Sequence, residues 1–231
     1  MPRTPSPQAR PQRRGVLRRE KLLRAAGELI VRMPLSEVTY AAICERAAIP
    51  PSSAYHFYAD LDAICHALLV LDQAGLNDAL MRPMSAAQSR TWQSVIGCLI
   101  DRAARYNRSH PVAAKLAIGG QTPPQLKRVD READRVRSGL AMRALETLFV
   151  LPSRPLRRQA AFLTIEIVDT IFTASMIERG QLTSDYVMLA KTAAIGFLTQ
   201  FFGEGAARRA KAPAATMRAA KASAPGRRSR S

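Results

Sequence analysis

Two consecutive prolines, Pro50 and Pro51, sit inside a stretch that otherwise has helical character. They dictate how residues 39–64, TYAAICERAAIPPSSAYHFYADLDAI, can fold. Before the break, Ile43 and Ala47 share one apolar stripe at helical spacing. Thr39 suits the N-cap of that run, its hydroxyl accepting from an early backbone N–H. Residues 48–50 interrupt the helix. Pro51 can open a new one, because a missing N–H costs nothing in the first turn. The second run, 52–58, is about two turns long. It carries Ser52, Ser53, Tyr55, His56, Phe57 and Tyr58, a dense set of hydrogen-bonding and aromatic groups. A helix–turn–helix with a short second helix of this kind suits the DNA major groove. Spacing alone equally allows two short helices of an ordinary bundle, with Tyr and Phe in its core.

This stretch resembles the DNA-binding domain of the TetR family of bacterial transcription regulators. Thr39, Ile43, Ala47, Ile49, Tyr55, the aromatic Tyr58, Asp62 and Ile64 fall in register with the family pattern. The resemblance extends back over a first helix at about 16–33. Two positions depart from the pattern. The family's turn glycine is Ala48 here, so the turn either avoids a left-handed residue or carries slight strain. The family's lysine at the start of the fourth helix, a phosphate contact, is Leu61.

The resemblance implies an all-α fold: an N-terminal three-helix helix–turn–helix domain and a C-terminal helical ligand-binding and dimerisation bundle, about nine helices in all. The expected divisions are a disordered basic arm at 1–15, the DNA-binding domain at 16–76, the helical domain at 77–205 and a disordered basic tail at 206–231. The expected DNA face comprises Thr39, Tyr40, Pro51, Ser52, Ser53, Tyr55 and His56, with Arg13 and Arg14 from the arm. Thr39 would hold a phosphate through its hydroxyl and the helix N-terminus.

The formal charge of +17 bears on this reading. Residues 1–19 hold six arginines and no acid, and residues 206–231 hold eight lysines or arginines and no acid. Residues 20–75 hold four basic and seven acidic side chains, so the helix–turn–helix itself is not basic. The flanks could supply the phosphate attraction that the core lacks. Cys44, Cys65 and Cys98 lie far apart, with no disulfide framework, which fits a reducing cytoplasm. The Pro- and Arg-rich start is no secretory signal, and no charge-free apolar run long enough for a membrane span occurs. A cytoplasmic, nucleoid-associated protein is expected.

Beyond residue 60 the chain reads as long helices punctuated by Pro and Gly. They are expected at 61–81, 86–108, 111–118, 123–149, 153–179 and 184–203. The first half of the 123–149 helix, QLKRVDREADRVR, is mostly charged and reads as a solvated face. The 153–179 helix is apolar on nearly every side, so it should meet both its own core and a second subunit. With the 184–203 helix it would form an isologous homodimer interface.

No nucleophile–base–acid constellation is visible, and Gly119-Gly120 lacks the Lys-Ser/Thr of a phosphate loop. His56, His66 and Cys65 show no zinc-type spacing, so neither catalysis, nor a cofactor, nor a metal is expected. Glu166, Asp169, Thr170 and Thr173 share one face of the apolar helix. Such a stripe lines a cavity, bonds across a dimer, or faces water. Trp92, Cys98, Arg102, Tyr106, Met142 and Phe172 are further candidates for lining a small-molecule effector pocket, or core residues. Three functions compete. One is ligand-responsive regulation, as a repressor on a palindromic double-stranded operator. The second is non-specific nucleoid-type DNA binding driven by the tails. The third is a helical enzyme or carrier with a degenerate DNA-binding domain.

Overall fold

The computed structural model describes residues 9–209, with side chains from residue 14. Most of the expected arm and tail, residues 1–8 and 210–231, lie outside the described residues, as does the Arg13 side chain. Among the described residues the fold is all-α. The elements are α1 (Ala9–Arg32), a 3-10 turn (Leu35–Glu37), α2 (Tyr40–Ala47), α3 (Pro51–Ala54), α4 (Leu61–Leu80), α5 (Trp92–Ser109), α6 (Pro111–Ala117), α7 (Pro124–Leu148), α8 (Arg157–Arg179) and α9 (Ser184–Phe202).

Local chemistry sets most of these boundaries. Thr39 caps α2 by accepting from the Ala42 amide at 3.1 Å, and Asp60 caps α4 by accepting from Ala63 at 2.7 Å. Pro51, Pro111 and Pro124 open α3, α6 and α7, where a missing donor is harmless. α5 begins six residues later than expected because Thr91 and Ser94 form a reciprocal capping box. α8 begins at Arg157 rather than 153, after Pro155 and a left-handed Leu156. α1 begins at Ala9 rather than 16, inside the expected disordered arm. Pro11 falls in the first turn of that extension, where it does not break the helix.

Two apolar cores result. Leu22, Ala26 and Ile30 of α1 pack with Ile43 and Cys44 of α2, Ala54 of α3, and Ile64 and Leu69 of α4. Leu116 of α6 and Leu126 of α7 close that core from the other side. The second core joins α5 and the ends of α6 and α7 to α8 and α9, through Trp92, Ile100, Leu145, Phe149, Phe172 and Leu198.

Two buried or half-buried cations tie the halves. Lys115 of α6 donates to the carbonyls of Ile30, Val31 and Met33, satisfying the end of α1. Arg102 of α5 donates to the carbonyls of Leu80, Arg82 and Pro83 and so fixes the end of α4.

Two expectations are corrected here. Residues 206–209 are no loose tail: Val150 donates to Ala207 at 2.8 Å and Arg209 to Leu148 at 2.9 Å. The charged half of α7 is not simply solvated, because Asp130, Asp134 and Arg137 are buried. They recur at i, i+4 and i+7, in phase with Leu126 and Met142, so one polar stripe turns inward. α8 buries one face only, through Ala160, Thr164, Val168, Phe172 and Ser175. Leu163 and Ile177 stay open on its other side, as do Met188 and Leu189 of α9. By length and composition α8 could cross a bilayer. Glu166 and Asp169 interrupt its middle, and α7 and α9 pack along it.

The turn after α2 carries the strain that the Gly-to-Ala departure raised. Ala48 sits in the left-handed region at φ 52°, ψ 46°. Its amide donates to Glu45, and Ile49 donates to Cys44, both at 3.0 Å, the two bonds of a Schellman stop. Ala48→Gly should therefore stabilise the chain by about 0.5–1 kcal/mol, through relief of the Cβ contact. A melting curve should rise by about 2 °C; an unchanged or lower midpoint would refute the strain.

Candidate functional site

The helix–turn–helix presents its surface through a one-turn helix. Regular α3 ends at Ala54, four residues short of expectation. Its hydrogen bonding continues, however, with Tyr55 donating to Pro51 and Tyr58 to Ala54. Ala54 is buried and anchors the segment. Pro51, Ser52 and His56 are exposed, Tyr55 is 57% exposed, and Ser53 is half-buried.

Tyr40 has a structural task. Its hydroxyl donates to the Tyr58 carbonyl at 2.7 Å, and its ring stacks on Tyr55 at 4.9 Å. The pair fixes where Tyr55 points. Thr39 is exposed at the N-terminus of α2, with its oxygen on the Ala42 amide. Its hydroxyl proton remains for an incoming phosphate. α1 contributes from the side. Arg19 lies over the Phe57 ring at 5.8 Å, and Gly15 passes close to the same ring. Arg14 and Arg18 are exposed one turn away on the same helix.

The second site is a cavity of about 1150 Å³ enclosed by α4, α5, α7 and α8. Most of its wall is apolar, including Leu76, Leu99, Ile100, Met142, Val168 and Phe172. One polar zone interrupts it. Arg137 donates through Nε to Asp134 at 3.0 Å and lies 3.4 Å from Asp130. Lys127 approaches the other Asp130 oxygen at 3.6 Å. Asp169, from α8, completes a trio of carboxylates whose nearest oxygens all lie within 4.8 Å of one another. Asp130 and Asp134 are 3% and 2% exposed, and Arg137 is 9% exposed.

This zone has more hydrogen-bonding capacity than partners. Among the described residues, Asp130 Oδ2, Asp134 Oδ2 and Arg137 Nη1 have no hydrogen-bond partner. The same holds for Gln73 Nε2 and Asn77 Oδ1, one turn apart on α4. All five side chains line the cavity. Buried groups of this kind are ordinarily paired, so the cluster can accept further hydrogen-bonding groups.

Its electrostatics agree. Burial first, then Asp134 and Asp130, raise the Asp169 carboxyl well above its ordinary range. Burial pushes Asp134 up to about 6 against the pull of Arg137. Asp72, also on the wall, is raised by burial while it accepts from the Tyr106 hydroxyl at 2.8 Å.

Of the ten expected ligand-lining residues, Met142, Asp169 and Phe172 line the cavity, while Cys98 is buried off its wall. Trp92 is core, with Nε1 on the Gly203 carbonyl and its ring edge-on to Phe202. Arg102 is spent on the end of α4. Tyr106 stands behind Asp72 and stacks on His110 at 3.8 Å. Glu166 pairs with Arg131 at 2.7 Å on the outer side of α7 and α8. The Thr170 hydroxyl returns to the Glu166 carbonyl, and Thr173 lies off the wall. Missed were Asp130, Asp134, Arg137, Gln73 and Asn77. Their signal was present: tracing the apolar phase of α7 back from Met142 passes through 138, 134, 130 and 126.

The sequence over 90–202 matches a family model described as the tetracyclin repressor-like C-terminal domain. The fold is similar to that of a TetR-family transcriptional regulator from Streptomyces coelicolor, with a TM-score of 0.63 at 16% identity over 80% of this chain and 99% of that one. It is also similar to a Shewanella sp. PV-4 protein assigned to the same family, with a TM-score of 0.56 at 14% identity over 83% and 99% of the two chains. A Rhodococcus sp. RHA1 protein of unknown function matches with a TM-score of 0.51 at 13% identity over 80% and 95%. At these identities the structures speak for the fold alone. No curated protein matches the sequence. Residues 90–202 thus match a TetR-type C-terminal domain, behind a Thr-capped helix–turn–helix, in a chain with the fold of the TetR-family transcription regulators.

Proposed function

We propose that the protein is a ligand-responsive repressor that binds a palindromic operator as a homodimer, on the nucleoid in the cytoplasm. The observation that carries the reading is the double membership of α4. Ile64 and Leu69 belong to the helix–turn–helix core, while Gln73, Leu76 and Asn77 of the same helix face the cavity. A ligand that pulls on Gln73 or Asn77 therefore pulls on the element that seats the DNA-binding core. α6 offers a second route, because Ala117 and Ile118 line the cavity and Lys115 holds α1. Each subunit would set Ser52, Ser53, Tyr55 and His56 into a major groove, beside Thr39, Pro51 and the arginines of α1. Effector binding would change the separation of the two segments.

The open apolar faces of α8 and α9 suit a symmetric partner. Leu163, Thr170 and Ile177 recur every seventh residue on α8, and Ile177 and Met188 are 66% and 62% exposed. Ile177→Glu combined with Met188→Glu should yield a folded monomer in analytical ultracentrifugation, because each buried charge would lack a partner. A dimer that survives both substitutions would place the interface elsewhere.

Bound fragments selected from genomic DNA test recognition. A single base-pair mismatch in the selected site should cost about 1–3 kcal/mol. Tyr55→Ala with His56→Ala should abolish that discrimination while far-ultraviolet circular dichroism stays unchanged. One observation favours a second reading, nucleoid-type binding. The basic charge is concentrated in the flanks, and residues 20–75 are net acidic. Under that reading a scrambled site binds equally well, and replacing the lysines and arginines of residues 1–19 and 206–231 by glutamine eliminates all affinity.

A further inference from the structure

We infer that the cavity takes an organic cation with an apolar tail, its charged head seated among Asp169, Asp134 and Asp130 and its tail along Leu99, Met142 and Phe172. The inference rests on the reading of this cavity as the effector site and names the chemistry of the effector.

The charge balance of the wall decides the sign. Four carboxylates face the cavity: Asp72 from α4, Asp130 and Asp134 from α7, and Asp169 from α8. Against them stand few cations. Arg137 is committed to Asp134 and Asp130, and Lys127 reaches Asp130 from outside the wall. Arg208 lines the cavity beside its backbone bridge to Phe149. Tyr106 and His110 stand behind Asp72. Among the described residues, Lys127 and Arg137 pair with Asp130 and Asp134, and no cation pairs with Asp169. An anionic ligand would add to this excess, and a neutral one would leave it in place. A cation offsets it and fills the unpaired lone pairs of Asp130 and Asp134.

The shape of the cavity decides the rest. A bare metal ion would use three oxygens, sit against the Arg137 guanidinium and leave the apolar wall wet. A volume of about 1150 Å³ with mostly apolar lining matches a drug-sized molecule instead. The amide of Gln73 and the carbonyl oxygen of Asn77 lie on the α4 side, where they can meet polar groups flanking the head.

The arrangement also predicts an exchange of stability for binding. Asp134 and Asp169 have raised pKa values in the fold, so from their ordinary range upward, to about 6 for Asp134 alone, the folded chain holds more protons than the unfolded one. Raising the pH through that window lowers stability by their share. Asp169→Asn removes part of that loss, so the free protein should melt higher near pH 8, whereas a carboxylate with a structural partner would melt lower when neutralised.

The test is calorimetric titration of the full chain with decyltrimethylammonium, whose charge does not titrate, beside decanol and decanoate. The ammonium ion should bind about ten-fold or more tighter than decanol near pH 8, and decanoate should bind least. Its affinity should fall toward about pH 5.5, as protons compete for Asp134 and Asp169. Asp169→Asn should weaken the ammonium about ten-fold and leave decanol unchanged. Equal binding of ammonium and alcohol overturns the inference. So does saturation by Mn²⁺ that excludes the ammonium and is lost in Asp169→Asn. Should that variant fail to fold, the comparison of the three probes on the unsubstituted chain still decides. Operator affinity is read separately. Tight ammonium binding that leaves DNA affinity unchanged upholds the ligand class and sinks the effector reading.

Discussion

One rigid helix belongs to two cores, and the rest of the architecture follows from that constraint. α4 spans Leu61–Leu80, about 30 Å at the usual helical rise. Its first turn is held by Asp60, and its last carbonyls by the buried Arg102. Between these fixed ends it cannot bend to satisfy both neighbours. Ile64 and Leu69 must seat the helix–turn–helix, and Gln73 and Asn77 must then face the cavity.

The polar stripe of α7 has no comparable structural excuse. Burying Asp130, Asp134 and Arg137 removes three charges from water, and such pairs seldom return more than they lose. Asp169 makes the balance worse by adding a third, half-buried carboxyl. Apolar side chains at these positions would continue the stripe from Leu126 to Met142 without a break. A fold that keeps the charges keeps a local instability on the wall of its cavity. Strain of this kind collects where a protein binds or switches.

What the sequence made legible was local. Thr39, Asp60 and the three N1 prolines act on their own first turns, so the cap and break chemistry could be read one residue at a time. The left-handed turn at Ala48 was visible as a departure and resolved as strain. What escaped was assembled from distant segments. The cavity wall draws on α4, α5, α7 and α8, and no single stretch displays it. QLKRVDREADRVR reads as solvated because most of its residues are charged; the burial of three of them depends on α4 and α8 lying opposite. Trp92, Arg102 and Tyr106 were attractive by residue type, yet the Gly203 carbonyl, the α4 terminus and Asp72 claim them. The start of α1 was misplaced for a simpler reason: a proline within the first turn is compatible with helix.

Coupling between the two sites requires more than a shared helix. A ligand shifts a conformational equilibrium only by the difference in its affinity for the two states. Apolar contacts along the walls would survive a small tilt of α4 nearly unchanged, so they confer affinity rather than a switch. Hydrogen bonds and charge contacts weaken steeply with distance and angle. The groups able to discriminate are therefore the polar ones of the wall: Gln73 and Asn77 on α4, and Asp134, Arg137 and Asp169 on α7 and α8. A ligand bridging these two sets would hold α4 at one distance from α7 and α8. Since α6 also reaches the cavity and grips α1 through Lys115, the helix–turn–helix would be set by two attachments rather than one. That geometry favours rotation of the whole DNA-binding domain over local loosening of its short recognition turn.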